Sequence, residues 1–364
     1  NILYSSYFDY FLSIDSYIIT LFISLLIGLS FFFIGKSSKK RINFIEQLIL
    51  IILVYLLVSF LVSVPFYLSN YQVTFINAFF EGISGVTVTG FSIFENIKYL
   101  DPTLILWRSS SQWIGGLYFL FFLILIFSNK QFNYKMNEIT YSGDGSINSE
   151  NNIKDLLFKI FTLYCTSSLI IFLLLNISEV RMFNSLNLSM SLVSTGGFIP
   201  TNSLDKIINT NIQKIILIFS LVISMLNFFL LLNIFEKKII LREHKEDFYL
   251  LLLSFIFILL VYLNSYSSLN IAINVLSSLS NSGLSLIKSD NNLGLYFILI
   301  TAIGGSLISN TSGIKFTRIY ILLKTASSEI IKLISPNSIV NKNMFSSERK
   351  ITEENIKISF LIFI

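Results

Sequence analysis

Three short runs of serine, threonine and glycine repeat along this sequence: V-T-V-T-G-F-S (86–92), V-S-T-G-G-F-I (193–199) and L-S-N-S-G-L-S (279–285). Each carries a glycine 13 residues after an asparagine, pairing Asn77 with Gly90, Asn184 with Gly197 and Asn270 with Gly283. A spacing kept three times marks one structural unit used at least three times. Hydroxyl oxygens and backbone carbonyls gathered in a glycine-bearing turn are the ligands a cation needs when it sheds its water. No nucleophile, acid–base pair or metal cluster accompanies them, so the runs do not read as an enzyme site.

The segments ahead of the turns must position them. Each begins near its asparagine, a favoured helix N-cap, and stays apolar for about nine residues, enough for a helix of ~13 Å, roughly half a membrane. Such a helix could enter from one side, stop near the middle and aim the partial negative charge of its C-terminus at the turn, which favours a cation there. Backbone leaving the turn at that depth is tolerable only where it lines a protein or water cavity. Glycine suits the turn because it accepts positive φ. Ordinary surface loops are the plain alternative, but three matched segments on one side, each between two apolar runs, favour a unit of span, half-helix with turn, and span.

Composition supplies the spans. Charged residues make up 13% of the 364 residues, about half the ~25% of soluble proteins; 54% are hydrophobic and the mean hydropathy is +0.74. Apolar segments fall at 17–35, 44–69, 104–127, 156–177, 212–235, 248–267 and 293–323, near the ~20 residues a membrane helix needs. The first runs into a basic loop with no small-residue cleavage site, unlike a signal peptide. Lys36, Lys39, Lys40 and Arg41 follow the first segment, Lys237, Lys238, Arg242 and Lys245 the fifth, and Lys324, Lys332, Lys342, Arg349 and Lys350 the seventh. The intervening loops hold only Lys98, then Arg181 and Lys206, then Lys288. Basic loops face the cytoplasm, which puts all three turns outside. The net charge of +5 reflects this bias and not nucleic-acid binding, since no basic run alternates with stacking aromatics. The single Cys165 excludes an intramolecular disulfide or cysteine metal site. His244, alone in a charged loop, reads as solvated, and no cofactor is expected. The fold class is all-α: a polytopic membrane protein of repeated span, half-helix with turn, and span units.

The motifs also resemble a known family. E-G-I-S-G-V-T-V-T-G-F-S (81–92) followed by W-R-S-S-S-Q-W-I-G-G-L (107–117) is similar to the first repeat of the Trk/Ktr/HKT potassium transporters, most closely the TrkH type. S-L-V-S-T-G-G-F-I (191–199) and S-S-L-S-N-S-G-L-S (277–285) look like the second and third filters, and G-G-S-L-I-S-N-T-S-G-I-K-F-T-R (304–318) like the glycine-rich break in the third repeat. I-S-P-N-S-I-V (334–340) also fits the cytoplasmic stretch beyond that break. The resemblance implies four repeats around one ion path, a homodimer, potassium as substrate, and a peripheral cytosolic nucleotide-binding subunit. The chain itself has no nucleotide fingerprint. It further implies that Thr87, Val88, Thr89 and Gly90 line one quarter of a filter, Ser194, Thr195, Gly196 and Gly197 a second, and Ser280, Asn281, Ser282 and Gly283 a third. Gly90 in the first filter goes with potassium selectivity in that family, serine with sodium transport. A bacterial inner-membrane location follows from the same resemblance.

The resemblance sets the expected divisions: 1–43, a helix and basic loop; 44–127, the first repeat; 128–155, a cytoplasmic loop; 156–235, the second repeat; 236–247, a cytoplasmic loop; 248–324, the third repeat; 325–364, a linker and the opening of a fourth. The start at Asn1 and the stop within I-S-F-L-I-F-I (358–364), which reads as the opening of another span, read as a fragment lacking an N-terminal helix and the whole fourth repeat. Asn281 and Ser282 depart from the family's third filter.

Residues 304–313 interrupt the seventh segment, with Gly304, Gly305, Ser306, Ser309, Asn310, Thr311, Ser312 and Gly313; each glycine weakens a helix by ~1 kcal/mol relative to alanine. A kinked helix with hydroxyls bonded to its own backbone is one reading. The resemblance implies the other, a gate obstructing the inner half of a pore, with Leu307 and Ile308 as departures. Lys315 and Arg318 suit the inner interface, where long basic chains snorkel; alternatively Lys315 faces the pore and repels cations. Glu81 either hydrogen-bonds behind the first turn or sits at the membrane boundary. Arg108 beside Trp107 reads as an interfacial anchor, and Asn227 as an interhelical hydrogen bond. A sodium-permeable relative, or a secondary transporter of another small solute, remain the alternatives; the latter calls for intramembrane carboxylates, and the apolar segments have almost none.

Overall fold

The computed structural model describes residues 1–7, 14–37, 43–128, 150–236, 244–262, 268–286, 294–336, 338, 343–346 and 351–363. Lys39, Lys40, Arg41, Lys237, Lys238, Arg242, Lys288, Lys342, Arg349 and Lys350 lie outside them, as do most of the 128–155 loop and much of 236–247. The chain is all-α. In order it forms α1 (Ile2–Tyr7), α2 (Ile14–Lys36), α3 (Phe44–Tyr67), α4 (Phe75–Val86), α5 (Pro102–Ser128), α6 (Glu150–Ile177), α7 (Met182–Ser194), α8 (Asn211–Met225), α9 (Phe228–Phe235), α10 (Lys245–Tyr262), α11 (Ser268–Ser280), α12 (Gly294–Ile303), α13 (Phe316–Ile334) and α14 (Glu353–Phe363).

Among the described residues four helices, α2, α3, α5 and α6, are long and apolar enough to cross a membrane, matching the first four expected spans. Their lipid-type surfaces are plain: Phe31, Phe32, Phe33 and Ile34 on α2, and Ile49, Ile52 and Leu53 on α3, are all exposed. This is a multi-pass membrane protein. The fifth expected span is not one helix: α8 and α9 meet at a bend of 106°. The seventh is likewise two helices, α12 and α13, separated by a non-helical segment.

The chain divides into two compact units, Asn1–Phe132 with Tyr164–Ile216, and Asn133–Leu163 with Leu217–Ile364. In the first unit α4 packs on α3 and α5, and α7 packs on α5. The half-helices start one turn earlier than their asparagines suggest. Thr74, not Asn77, caps α4, its Oγ1 accepting from the Asn77 N–H at 3.4 Å. Asn77, Asn184 and Asn270 each occupy the third residue of their helix. The half-helices therefore run 12, 13 and 13 residues, roughly 18–20 Å. Val62, Phe66, Ala78, Val86, Leu104 and Ile105 form the core between α3, α4 and α5.

In the second unit a smaller core gathers Ile321, Met344, Phe345 and Ile351. Phe345 stacks on Tyr320, with ring centroids 4.2 Å apart, and on Tyr249 at 5.7 Å. This fastens the segment after α13 back onto α10 and α13. His244 is not solvated as expected but buried, its Nε2 2.9 Å from Asn233 Nδ2 and its Nδ1 3.7 Å from Asp247 Oδ2.

Helices α3 and α4 touch backbone to backbone at Gly82, where an added Cβ would stand 2.6 Å from the Ser59 carbonyl oxygen. Gly82→Ala should destabilise the full-length protein in detergent by about 1–3 kcal/mol, the usual cost of overpacking. Gly28→Ala on α2, with nothing within 4 Å, should not, because alanine is the better helix former. Thermal melting of the two variants side by side checks the contrast; equal midpoints would mean α4 is not seated as described.

Candidate functional site

The three turns share one backbone geometry. Positive φ alternates along each: Val88 at 60° and Gly90 at 81°, Thr195 at 63° and Gly197 at 79°, Asn281 at 57° and Gly283 at 66°, with Thr89, Gly196 and Ser282 between them not in that region. The hydrogen bonds match as well. The N–H groups of Val88, Thr195 and Asn281 donate three residues back, to Gly85 (3.0 Å), Leu192 (3.2 Å) and Ser278 (3.2 Å). The N–H groups of Thr89, Gly196 and Ser282 donate five residues back, to Ser84 (3.0 Å), Ser191 (2.8 Å) and Ser277 (3.1 Å). This is the Schellman closure of a helix C-terminus, with a non-glycine residue at the left-handed position. Such a residue costs about 1–2 kcal/mol, and the branched side chains of Val88 and Thr195 make it an outlier. It persists only where the surroundings over-determine it.

The hydroxyls in these turns are already engaged. Thr87 Oγ1 donates to the Ile83 carbonyl and lies 2.7 Å from Thr89 Oγ1; Ser194 Oγ donates to Met190 O at 2.9 Å; Ser280 Oγ donates to Ser282 Oγ at 3.2 Å. The carbonyls differ. Among the described residues no hydrogen bond occupies those of Thr87, Val88, Thr89 and Gly90, nor those of Ser280, Asn281, Ser282 and Gly283. In the second turn the Gly196 carbonyl is taken by the Gln112 side chain and the Ser194 carbonyl accepts from Thr195 Oγ1 at 2.6 Å.

Helix α5 carries the first two turns on adjacent stripes. Ser111 and Gly115, one turn apart, meet the end of α4: a Cβ on Gly115 would collide with the Val86 carbonyl, and one on Gly85 with Ser111 Oγ. Gln112 and Gly116, the next stripe, meet the end of α7. Gln112 is fully buried, donating through Nε2 to Gly196 O while its Oε1 accepts from the Phe198 N–H at 3.1 Å. A Cβ on Gly116 would lie 2.9 Å from Ser194 Cβ and 2.8 Å from the Tyr164 hydroxyl. The two turns also touch directly, since a Cβ on Gly90 would strike the Gly196 carbonyl. At Gly283 a Cβ would meet nothing within 4 Å; there only the backbone conformation resists substitution.

Behind the first turn lies a buried ion pair. Arg108 Nε donates to Glu81 Oε1 at 2.7 Å, with side-chain exposures of 1% and 0%. The same carboxylate accepts from Ser92 Oγ (3.1 Å) and the Ile93 N–H (2.9 Å), and Arg108 Nη2 donates to Ser92 Oγ (2.9 Å). The guanidinium lies 4.2 Å from the centre of the Phe198 ring, in the chain leaving the second turn. Arg108 is thus no interfacial anchor. Glu81 needs a cation because it is buried, and Arg108 supplies it one helix away.

In the second unit, residues 304–311 form a buried loop. It satisfies the backbone groups freed by the α8–α9 break: the Ser306 N–H donates to Met225 O (3.0 Å) and the Phe228 N–H to Ile308 O (2.9 Å). Asn227 caps α9 through its side chain, and the interhelical hydrogen bond expected of it comes from its main-chain N–H, which donates to Asp247 Oδ1 of α10 at 2.9 Å. Glu246 Oε1 accepts from the Leu307 N–H at 2.8 Å and from Thr317 Oγ1. Lys315, at φ 78°, is buried within the loop and does not snorkel. Gly304 (70°) and Gly313 (88°) both have positive φ where the loop's two ends pass: a Cβ on Gly304 would meet Ser312 O, and one on Gly313 would stand 3.0 Å from Gly304 Cα.

Sequence reasoning passed over Gln112, Ser111 and the two α5 glycines, although the i, i+4 pairs were visible in S-S-S-Q-W-I-G-G. It also missed Glu246 and Asp247, which sit at the start of an apolar run. Among the described residues no cluster of three or more metal-ligating side chains occurs.

No protein-family model matches this chain. It is 26% identical over 333 residues to an uncharacterized cation transporter of Methanocaldococcus jannaschii, covering 85% of this chain and 65% of that protein. It is 25% identical over 361 residues to the Trk system potassium uptake protein TrkG of Escherichia coli, covering 91% of this chain and 72% of the relative. The crystal structure of the potassium transporter TrkH from Vibrio parahaemolyticus superposes with a TM-score of 0.80 at 17% identity, over all of this chain and 78% of that one. The chain thus spans about two-thirds of the length of the relatives it matches.

Removing Arg108 leaves Glu81 charged and unpaired in the core. Arg108→Met should cost the full-length protein about 3–5 kcal/mol, read as a large fall in melting midpoint, whereas Arg108→Met with Glu81→Leu should recover most of it. A single variant as stable as wild type would mean the pair is not buried.

Proposed function

Starting from the chain's homology to the Trk potassium uptake proteins and its TrkH-like fold, we propose that it conducts potassium across a membrane, with the three turns as filter segments and the 304–313 loop as the gate. One observation carries the reading: three helix C-termini closed by the same hydrogen bonds and the same alternation of φ. A backbone alternating between hands gathers its N–H groups along one side and leaves its carbonyls along the other. In the first and third turns those carbonyls are unoccupied, which is the state a dehydrated cation requires. The half-helix behind each adds roughly half a negative charge at its end. Selection then rests on backbone oxygens held by strain and packing, with the threonine and serine hydroxyls bracing the turn from behind.

In this account the first turn is braced by Glu81–Arg108, and the second by Gln112. Among the described residues the buried carboxylates Glu81, Asp101, Glu246 and Asp247 hold structure, unlike the ion-coupling groups a solute symporter would need. Divisions at 44–127, 156–235 and 248–324 as repeats belong to this proposal. So do a bacterial inner-membrane location with the turns facing outward, a homodimer, and a cytosolic nucleotide-binding partner. These expectations rest on the family resemblance of the motifs; the relatives' names add potassium uptake within a Trk system. The protein acts as a transporter and not an enzyme.

The full-length protein should restore growth at low potassium to a host that lacks potassium uptake; insertion without growth would overturn the reading. Gly90→Ser should lower the preference for potassium over sodium by about tenfold, equivalent to ~1.4 kcal/mol, because it strains the turn and pushes on the Gly196 carbonyl. Flux ratios of the two ions check this, and an unchanged ratio would take Gly90 out of the filter.

A further inference from the structure

The gate loop contains a cation already. The Lys315 ammonium donates to Ser309 O (3.1 Å), Ser309 Oγ (3.2 Å), Thr311 Oγ1 (3.1 Å) and the Thr311 carbonyl. Those oxygens are organised before the lysine is considered: Ser309 Oγ lies 2.7 Å from Thr311 Oγ1, which also accepts from the Gly305 N–H at 3.0 Å, and Ser309 Oγ donates to Ser306 O at 2.7 Å. An ammonium has three N–H bonds, and four oxygens surround it. They encircle a centre of charge more than they match individual donors. Two carbonyls and two hydroxyls are also the ligand set of a dehydrated potassium ion, which has nearly the radius of ammonium.

Several features make this a costly place for a lysine. Its charge is buried, its φ is 78°, and it stands at the N-terminal end of α13, where a helix disfavours a cation. The oxygen cage offsets them, together with the charge of the Glu246 carboxylate. Withdrawal of the side chain would end the burial of its charge and carry that charge away from the helix end, and would leave four oxygens without a cation.

We propose that Ser309 and Thr311 form a monovalent-cation site inside the loop, with Lys315 as its tethered occupant, and that potassium takes this site when the ammonium leaves. The inference rests on the reading of 304–313 as a gate on a potassium path. The tethered ammonium holds the loop compact; an incoming potassium ion competes for the same oxygens and so favours the released loop. Glu246, which accepts from Leu307 inside the loop and from Thr317 beyond it, ties the loop to α10 while this exchange occurs.

The test compares the full-length wild-type protein with Lys315→Met and with Lys315→Met/Thr311→Val, melted in potassium, ammonium or choline chloride. Lys315→Met should gain a stabilisation by potassium and ammonium beyond that of wild type, growing with concentration and absent in choline; Thr311→Val should abolish the gain. In liposomes, Lys315→Met should pass potassium several-fold faster than wild type. Wild-type melting response and wild-type flux in Lys315→Met would overturn the proposal. Should that variant fail to fold, Thr311→Val alone decides: a lower midpoint with several-fold higher flux supports the cage, and no change in either removes it. The melting arm needs no transport, so a wild-type protein that moves no potassium sinks the transport reading and leaves the site to be judged separately.

Discussion

Val88 is held at φ 60°, a conformation its branched side chain resists, and much of the first unit is arranged to keep it there. The residue closes the C-terminus of α4 and starts the alternation of φ along the turn. Left alone, it would relax to the β region and the turn would open. Three supports prevent this: the paired hydrogen bonds to Ser84 and Gly85, the Val86 carbonyl pressed onto Gly115, and the second turn seated against Gly90. Each depends on a missing side chain or a small one. The same physics explains why α5 reads S-S-S-Q-W-I-G-G: two helix ends must reach its backbone on neighbouring stripes, and only Ser111, Gly115, Gln112 and Gly116 leave them room.

The second unit solves a different problem, how to break two apolar helices without leaving backbone groups unsatisfied. Each break answers the other. Met225 and Phe228 at the α8–α9 bend bond to Ser306 and Ile308 in the loop, as a short piece of sheet would. The carboxylates that open α10 complete the pairing, Asp247 at the bend and Glu246 at the loop. Neither helix can straighten without stranding polar groups of the other, at about 1–3 kcal/mol for each. That makes the loop well ordered as it stands, with Lys315 the component whose release changes least of the backbone bonding.

The turns were legible in the sequence because glycine reports positive φ and the asparagine spacing reports helix length. The all-α class and the first four spans followed from length and apolar content alone. What escaped was tertiary in origin. The α8–α9 bend falls within the largely apolar run 212–235, with no glycine or proline to mark it, and the groups that stabilise it lie 20 and about 80 residues downstream. Arg108 beside Trp107 has the composition of an interfacial pair; its true partner, Glu81, is 27 residues away on another helix. The asparagines misled by one turn, since a residue that favours N-caps is placed here at the third helical position, while Thr74 does the capping.

The central claim is that backbone carbonyls held in the alternating turn coordinate a bare monovalent ion. Crystals of the full-length protein grown with thallium would show this by anomalous scattering. The account predicts an anomalous peak in direct contact with the carbonyl oxygens of residues 88–90. Thallium bound elsewhere, with those oxygens facing only protein or water, would contradict it.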